Sequence, residues 1–243
     1  MKKPKVLVFT GAGVSAESGI QTFRDAVNGL WNNHKIEDVC TPEAWKKNPT
    51  LVLNFYNERR SQLKVVEPNL AHTLLADLET FFEVTIVTQN VDDLHERAGS
   101  SKVIHLHGEL RKVRSSTDPQ YIIPFEEDVQ LGDLCPKGGQ LRPHIVWFGE
   151  YLEEQNLQAA QKAAEEAEIG IIVGTSLQVY PANEIPTHLN NGSTLYIIDP
   201  KEVTLPGFRN TDIEVFQVNA NATVGVGAVY KAMLDKLQGS CFF

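Results

Sequence analysis

The stretch KVLVFTGAGVSAESG, residues 5–19, joins an apolar run to a loop rich in glycine. Lys5–Phe9 is continuously apolar after its first residue, which predicts a strand covered by helices on both faces of a sheet. The glycines at Gly11, Gly13 and Gly19 let the backbone approach a diphosphate closely and offer amide N–H groups to it. Their spacing is G-x-G-x5-G, not the G-x-G-x-x-G of ordinary dinucleotide folds, so a tight turn that needs glycine for conformation alone is an equal alternative.

Six more short runs rich in β-branched residues follow at long intervals. The predicted strands are Glu83–Thr88, Lys102–Leu106, His144–Phe148, Ile169–Gly174, Thr194–Ile198 and Ile213–Val218. The predicted helices between them are Asn69–Glu79, Glu153–Glu168 and Thr223–Leu237. Strands that alternate with helices indicate βαβ units, so we predict an α/β fold with a doubly wound, mostly parallel sheet.

Two stretches interrupt this alternation. Residues 25 to about 68 contain no good strand, and Thr41-Pro42 and Asn48-Pro49 are typical helix starts, so we expect a small helical insertion. Residues 111 to about 142 are polar and loop-like, and a loop of that length is usually functional or forms a minidomain. We therefore expect one large domain and one small domain formed by two insertions. The large domain takes residues 1–24, 69–110 and 143–243, and the small one takes 25–68 and 111–142.

The composition is that of an ordinary globular protein. The 243 residues include 22 Lys and Arg against 31 Asp and Glu, which gives a formal net charge of −9, and 42% are hydrophobic. This acidic balance argues against binding to nucleic acid or to a membrane surface, and neither partner is expected. The run Val6–Phe9 is too short for a signal peptide and no run approaches the roughly 18 apolar residues of a membrane span, so we expect a cytoplasmic protein. The sequence does not indicate an oligomeric state.

Polar residues follow the second predicted strand directly, in Thr88-Gln89-Asn90-Val91-Asp92. Open α/β sheets bind ligands at the carboxyl ends of their strands, so Gln89, Asn90 and Asp92 are candidate binding residues. Asn90 or Asp92 could instead cap a helix that begins near Val91. Capping explains one of these residues and does not require all three.

Two histidines stand at a strand end. His105 and His107 point to the same side of an extended segment, but a metal pair lacks a third ligand at a recognisable spacing. A lone histidine is more often structural than catalytic. His107 precedes a glycine, and an imidazole in that place is suited to proton transfer, which favours a functional reading modestly.

A hydroxyl and a guanidinium lie together on the helix predicted after Pro49. Tyr56 and Arg59 are three positions apart and share a helix face, so they could clamp a carboxylate. A solvated face with Glu58 as a local ion partner is the alternative. Two further strand ends are candidate sites: the backbone of 146–150 could receive an extended peptide, and 174–176 carries small and hydroxyl side chains.

Taken together and in order, these segments resemble the sirtuin family. The matching motifs are Gly11–Ile20, Phe23-Arg24, Thr88–Asp92, His107-Gly108, Val146–Glu150 and Gly174–Ser176. The resemblance implies an NAD-dependent protein-lysine deacylase with a Rossmann-like domain and a small domain that combines a helical module with a zinc ribbon. Acylated lysine side chains of proteins would be its partners. An ADP-ribosyltransferase and a non-catalytic NAD-sensing scaffold are the alternatives.

The resemblance also implies roles for single residues. His107 would be the general base, Asn90 and Asp92 would position the nicotinamide and its ribose, and Val146 and Phe148 would receive the acyl-lysine peptide. In the family reaction nicotinamide leaves NAD, and free lysine and O-acyl-ADP-ribose are the products. The implied NAD site comprises Gly11, Ala12, Gly13, Glu17, Ile20, Phe23, Arg24, Gln89, Asn90, Val91, Asp92, Gly174, Thr175, Ser176, Asp199 and Ala222.

The subgroup of sirtuins that removes succinyl and malonyl groups binds the acyl carboxylate with a Y-x-x-R pair on this helix. Tyr56 and Arg59 match that pair. The resemblance therefore implies desuccinylase and demalonylase activity, with deacetylase activity alongside.

The sequence departs from the family at two places. Sirtuins usually carry four zinc cysteines in the ribbon, whereas this chain has three cysteines in all, and only Cys135 lies there. One cysteine cannot hold a structural zinc, so no zinc is expected. We expect the ribbon to be held by Tyr121, Ile122, Ile123, Phe125 and Leu131. Asp199 stands where the family more often has Asn near the adenosine ribose.

Overall fold

A computed structural model gives the structure of residues 2–21, 30–31, 34–205, 207 and 212–239. The strands within these ranges are β1 (Lys5–Thr10), β2 (Leu30–Trp31), β3 (His34–Lys35), β4 (Glu83–Thr88), β5 (Val103–His105), β6 (Gly108–Ser115), β7 (Ile122–Pro124), β8 (Leu141–Ile145), β9 (Ile169–Val173), β10 (Thr194–Ile198) and β11 (Glu214–Val218). Six of them form a parallel sheet in the order β11-β10-β9-β1-β4-β5. The predicted α/β fold with a parallel sheet is confirmed.

The described residues also form seven α-helices. They are α1 (Ile36–Val39), α2 (Pro42–Lys47), α3 (Pro49–Leu63), α4 (Leu70–Asp77), α5 (Leu94–Arg97), α6 (Glu154–Glu166) and α7 (Ala222–Gly239). The expected caps are present: the Thr41 hydroxyl accepts from the Ala44 N–H at 3.0 Å, and the Asn48 side chain accepts from the Leu51 N–H at 3.1 Å. Among the described helices none is long and apolar enough to cross a membrane.

Strand β1 shows how the sheet acquires two buried faces. Val6 and Val8 pack into one core with α4 and α7, and Leu7 and Phe9 pack into the other with α6. All four side chains are at most 2% exposed. Because successive side chains of a strand point to opposite faces, a sheet covered by helices on both sides requires the continuously apolar run that the sequence shows.

Three expectations about strands are wrong. The strand expected at His144–Phe148 is Leu141–Ile145, and it lies in a separate antiparallel sheet of order β7-β6-β8, not in the parallel sheet. The segment 111–142, expected to be loop-like, contains most of β6 and all of β7. Its alternation is hard to read because charged residues such as Arg111 and Lys112 occupy β6 and its register shifts between Glu109 and Val113. The short β2-β3 pair lies in the region where no good strand was expected.

The ribbon has a small apolar core and a hydrogen-bonded centre. Its core comprises Leu53, Val113, Val129, Cys135 and Leu141, with Tyr121, Ile123 and Phe125 packed against it. Ile122 is not part of this cluster, and Leu131 is 53% exposed, so the prediction that these two hold the ribbon is wrong.

Ser115 stands beside the remaining ribbon thiol. Its hydroxyl accepts from the N–H groups of Thr117 and Asp118 at 3.2 and 3.1 Å and lies 3.3 Å from Cys135 Sγ. Sγ in turn accepts from the Gly139 N–H at 3.3 Å. One thiol and one hydroxyl do not make the four-ligand set of a structural zinc. The described residues contain no group of three His, Cys, Asp or Glu side chains that could hold a metal ion.

Candidate active site

A cavity of about 750 Å³ runs along the carboxyl ends of the parallel strands. Its wall includes eighteen residues predicted for the site: Gly11, Ala12, Gly13, Glu17, Ile20, Tyr56, Gln89, Asn90, Val91, Asp92, His107, Val146, Phe148, Gly174, Thr175, Ser176, Asp199 and Ala222. Arg59 is not part of the wall, and Phe23 and Arg24 lie outside the described residues. Parallel topology explains the gathering, because strands distant in sequence end at the same edge of the sheet.

The glycines let the ends of β1 and β9 pack against each other. The Gly13 N–H donates to the Gly174 carbonyl oxygen at 2.9 Å, and the Gly11 N–H donates to the Val173 carbonyl oxygen at 3.0 Å. A Cβ on Gly13 would lie 2.6 Å from Gly174 Cα. Gly174 itself has φ +62°, a conformation that favours glycine. Close backbone packing is thus a sufficient local reason for these glycines, and it also forms the floor of the cavity.

The polar residues after β4 form a buried network centred on Ser15. Asn90 Nδ2 donates to Ser15 Oγ at 3.1 Å, and Ser15 Oγ donates to Asp92 Oδ2 at 3.0 Å. Asp92 Oδ1 also accepts at 3.2 Å from the N–H of Leu94, the first residue of α5, and Asp92 lines the cavity as well, whereas the N-cap residue of α5 is Asp93. Burial raises the pKa of Asp92 to about 6. Next to this network, Gln89 Nε2 donates to Thr175 Oγ1 at 2.9 Å and joins the ends of two strands.

Two buried histidines lie behind that network. His72 Nε2 is 3.4 Å from Ser15 Oγ, and His95 Nε2 is 3.1 Å from Thr10 Oγ1. Their rings pack edge to face with centroids 4.9 Å apart. Burial lowers the pKa of His72 to about 4 and that of His95 well below its usual value, so both rings are neutral near pH 7. Sequence reasoning missed both residues, because their relation to the site exists only in the folded chain.

The two histidines near the end of β5 have different surroundings. His105 is engaged on both ring nitrogens, by the Asn90 carbonyl oxygen at 3.1 Å and by Glu96 Oε1 at 2.7 Å, and it does not line the cavity. His107 does line it, with Nδ1 2.9 Å from the Gln89 carbonyl oxygen. A carbonyl only accepts, so Nδ1 carries the proton and Nε2 is the basic nitrogen. Burial lowers the pKa of His107, which keeps the ring neutral near pH 7.

The adenosine end of the predicted site lies where β10 ends and α7 begins. Asp199 is 2% exposed, and its Oδ1 accepts from the Lys201 N–H at 3.0 Å. Ala222 is the first residue of α7. The Glu17 carboxylate accepts from the Thr223 N–H at 2.9 Å and from its hydroxyl at 2.8 Å, so it ties the glycine loop to α7. That use of Glu17 is structural, although the residue also faces the cavity.

The opposite end of the cavity is formed by α3 and the residues after β8. Tyr56 is 2% exposed, and its hydroxyl lies 3.0 Å from Trp147 Nε1 and 3.2 Å from Cys40 Sγ. Phe148 is 47% exposed at the rim. Cys40 lines the cavity and was missed by the sequence analysis, and Trp147, which lies in the candidate segment 146–150, lines it as well. No local pattern marks Cys40, which reaches the site only through the packing of α3 on the loop before α2.

Trp147 is fixed by two charged side chains. The Arg142 guanidinium lies 3.4 Å from the Trp147 ring centroid, and its NH1 donates to Glu150 Oε1 at 2.7 Å. Glu150 Oε2 accepts from the Trp147 N–H at 2.9 Å and from Arg142 NH2 at the same distance. The ion pair lowers the pKa of Glu150 against the opposing effect of its burial. The wall that faces Tyr56 is therefore rigidly positioned.

Arg59 lies one helical turn from Phe55 on α3. It is 8% exposed, its guanidinium lies 3.2 Å from the Phe55 ring centroid, and its NH1 donates to the Phe55 carbonyl oxygen. Burial lowers the pKa of Arg59 to about 10, and Glu58, Tyr56 and Cys40 are close enough to act against that shift. A buried cation thus stands next to two residues of the cavity wall.

The chain is similar to known proteins over most of its length. A family model described as the Sir2 family matches residues 11–181. A protein of Helicobacter pylori strain J99 named NAD-dependent protein deacylase is 56% identical over 196 residues, which cover 81% of the chain and 82% of the relative. A protein of the same name from Bacteroides thetaiotaomicron is 53% identical over 204 residues, with 82% and 86% covered.

Two solved structures share the fold. A Sir2 homologue in complex with NAD has a TM-score of 0.83 at 37% identity, over 97% of this chain and 91% of that one. Sir2Tm bound to a propionylated peptide has a TM-score of 0.75 at 30% identity, over 95% of this chain and 93% of that one. At these identities the similarity extends to sequence as well as to fold.

Proposed function

The chain belongs to the Sir2 family and is an NAD-dependent enzyme, and we propose that it is a protein deacylase that removes succinyl and malonyl groups from lysine, with deacetylase activity alongside. The names of its relatives support the deacylase reaction. The Sir2 structure with a propionylated peptide supports an acylated peptide as substrate. The observation that carries the acyl preference is the buried Arg59 cation beside Tyr56 at one end of the cavity.

The cavity fits NAD in size and in lining. A volume of about 750 Å³ lies within the range of ligand sites, and the adenosine end, the glycine floor and the Asn90–Asp92 network follow one another along it. NAD supplies a bond to nicotinamide whose cleavage exposes an electrophilic ribose carbon. Asn90 and Asp92 would orient that ribose, because Ser15 holds both side chains at fixed hydrogen-bond distances.

His107 would act as the general base. Its Nδ1–H donates to the Gln89 carbonyl oxygen, which fixes the ring and leaves Nε2 free of a proton. The lowered pKa keeps this nitrogen unprotonated at neutral pH, so it can accept a proton from a ribose hydroxyl. The reaction then needs no covalent nucleophile from the protein, because the attacking oxygens belong to the substrates.

Arg59 and Tyr56 would receive the acyl carboxylate. The Arg59 guanidinium lies 3.8 Å from Glu58 Oε2, but the Glu58 side chain is 72% exposed, so a carboxylate bound beside Tyr56 can replace this solvated partner. The formal net charge of −9 repels an anionic acyl group, so its binding requires a local cation. Arg59 must turn from Phe55 toward Tyr56 to make this contact, since its guanidinium packs on the Phe55 ring in this structure.

The decisive experiment compares the wild type with Arg59→Met and Arg59→Lys on succinyl-, malonyl- and acetyl-lysine peptides that share one sequence. A charge-assisted hydrogen bond contributes about 1.5–3 kcal/mol, so Arg59→Met should lose about tenfold to hundredfold in kcat/KM on the two carboxylated substrates. Arg59→Lys should lose less, because it keeps the charge and loses the fork geometry. Equal losses on all three peptides would refute the acyl preference.

Mass spectrometry of the same reactions tests the chemistry itself. The deacylase reaction predicts nicotinamide, free lysine and acylated ADP-ribose. ADP-ribose attached to protein would indicate an ADP-ribosyltransferase, and absence of turnover with retained NAD binding would indicate a non-catalytic sensor.

A further inference from the structure

The Tyr56 hydroxyl is enclosed by two partners at the acyl end of the cavity. Trp147 Nε1 lies 3.0 Å from it and Cys40 Sγ lies 3.2 Å from it. Tyr56 is 2% exposed and Cys40 is 4% exposed, yet both line the cavity. Among the described residues, these two are the hydrogen-bond partners of the hydroxyl.

The hydrogen-bonding capacities of its two partners indicate where the Tyr56 hydroxyl proton points. An indole N–H can only donate, so the Tyr56 oxygen accepts a hydrogen bond from Trp147. The phenol has a single hydrogen, and Cys40 Sγ is the remaining partner. Distance alone allows either atom to be the donor, and we assign Tyr56 as the donor because a thiol S–H is a weak donor and the phenol oxygen already accepts from Trp147. Thiol sulfur is a weak acceptor, so this proton is directed but only weakly held.

The thiol is neutral. Burial raises the pKa of Cys40 to about 11, although the Tyr56 hydrogen bond and the nearby Arg59 charge act in the opposite direction. A thiolate would bind the Tyr56 proton far more strongly than a thiol does. A neutral Cys40 thus leaves the proton available to a stronger acceptor that enters the cavity.

We propose that Cys40 is a specificity-determining residue, which competes with the acyl carboxylate for the Tyr56 hydroxyl proton and so limits the preference for carboxylated acyl groups. The inference rests on the proposed function, since it concerns the same end of the site. A carboxylate can take this proton, because it is a stronger acceptor than a thiol. An acetyl group has no carboxylate to take it, so the competition acts on succinyl- and malonyl-lysine alone.

The test measures one ratio, kcat/KM on a succinyl-lysine peptide divided by kcat/KM on the matching acetyl-lysine peptide. Cys40→Ala and Cys40→Val both remove the acceptor, but the first enlarges the cavity and the second makes it smaller. A net hydrogen bond contributes about 0.5–1.5 kcal/mol, and a weak acceptor lies at the lower end, so the ratio should rise about twofold to fivefold in both variants. Because acetyl-lysine is the internal reference, general damage to the site cancels.

Two controls accompany these variants. Cys135→Val changes the buried ribbon thiol, which is not among the residues that line the cavity, and it should leave the ratio unchanged. In a Tyr56→Phe background the Cys40 substitutions should have no effect on the ratio, because the contested proton is gone. Thermal melting of each variant confirms that it is folded.

The outcomes separate the two proposals. A rise in both Cys40 variants that disappears with Tyr56→Phe supports the competition. A rise in Cys40→Ala alone indicates cavity size and overturns it, as does a fall or no change in both. If the wild type deacetylates but fails on succinyl- and malonyl-lysine, the proposed acyl preference is refuted. In that case the Cys40 inference survives if both variants acquire succinyl activity, and it is overturned if neither does.

Discussion

Replacing Asp92 by asparagine should make the protein more stable at neutral pH while it impairs catalysis. Asp92 is 7% exposed and its carboxylate accepts hydrogen bonds from Ser15 and Leu94. Those bonds do not compensate for burial of the charge, since burial raises the pKa of Asp92 from 3.8 to about 6. Asparagine keeps the acceptor for the Leu94 N–H, but its amide N–H faces a Ser15 oxygen that already accepts from Asn90, so the lost Ser15 bond reduces the gain.

The magnitude follows from the pKa shift. At about 1.4 kcal/mol per pKa unit, the buried carboxylate destabilises the folded state by about 3 kcal/mol near pH 7. Because the folded pKa is the higher one, the folded state binds more protons between about pH 4 and pH 6, so stability falls as the pH rises through that window. Asp92→Asn should therefore gain about 1–3 kcal/mol at about pH 8 and nothing at about pH 4.

Thermal melts at several pH values measure this difference. For a chain of this size the gain corresponds to a rise in Tm of roughly 2–12 °C at about pH 8. The buried histidines His72 and His95 are present in both proteins, so their own titration cancels in the comparison. Asp93→Asn is a matched control: Asp93 Oδ2 lies 2.5 Å from Arg111 Nε, so its replacement removes an ion pair and should produce no gain.

Two results would refute this reasoning. One is a loss of stability at about pH 8 in Asp92→Asn, which would mean that the hydrogen bonds to the carboxylate outweigh its desolvation. The other is a gain that does not shrink as the pH falls. The expected loss of deacylase activity is a separate test of the positioning role, since a stabilised but inactive protein shows that this carboxylate is kept at the expense of stability.

Two further predictions concern the glycine floor and the ribbon. Gly174→Ala should cost about 2–4 kcal/mol of stability and weaken NAD binding, because a Cβ there would lie 2.5 Å from the Gly13 carbonyl carbon at φ +62°. Gly192→Ala, at φ +84° with no atom within 4 Å of the added Cβ, should cost only about 1–2 kcal/mol, and equal losses would contradict the packing argument. Dialysis against EDTA should leave both Tm and activity unchanged, because the Ser115–Cys135 centre is joined by hydrogen bonds. Stoichiometric zinc in elemental analysis, with a fall in Tm on chelation, would contradict that prediction.

The parallel sheet was predictable because its strands are buried on both faces. Thr194–Ile198 and Glu83–Thr88 are observed with the predicted bounds, and β1 extends the prediction by one residue. The antiparallel sheet was not predictable in this way. Its pairing joins β6 to β8 across more than twenty intervening residues, and charged side chains hide the alternation of β6. Local periodicity predicts that a segment is extended but not which strand it pairs with.

The site residues also fall into a group that the sequence could predict and a group that it could not. Gln89, Thr175 and the glycines were identifiable because they follow strands, and parallel strands end together. Cys40, His72 and His95 were not, because each reaches the site through packing between elements that are remote in sequence. The sequence favoured His107 over His105 through the glycine that follows it and the family motif, and the structure adds a physical reason, since Glu96 occupies the imidazole of His105.

The central position of β1 affects the order in which the protein can fold during its synthesis. β1 lies between β4 and β9, and the N–H of Lys5 bonds to Glu168, 163 positions later. The Glu17 carboxylate accepts a hydrogen bond from Thr223, which is synthesised 206 positions later. At about 5–20 residues per second, a ribosome needs about 10–30 s to make the second neighbour of β1. During that time one edge of the apolar strand β1 has no neighbour. We therefore expect the nascent chain to bind chaperones until β9 has been synthesised.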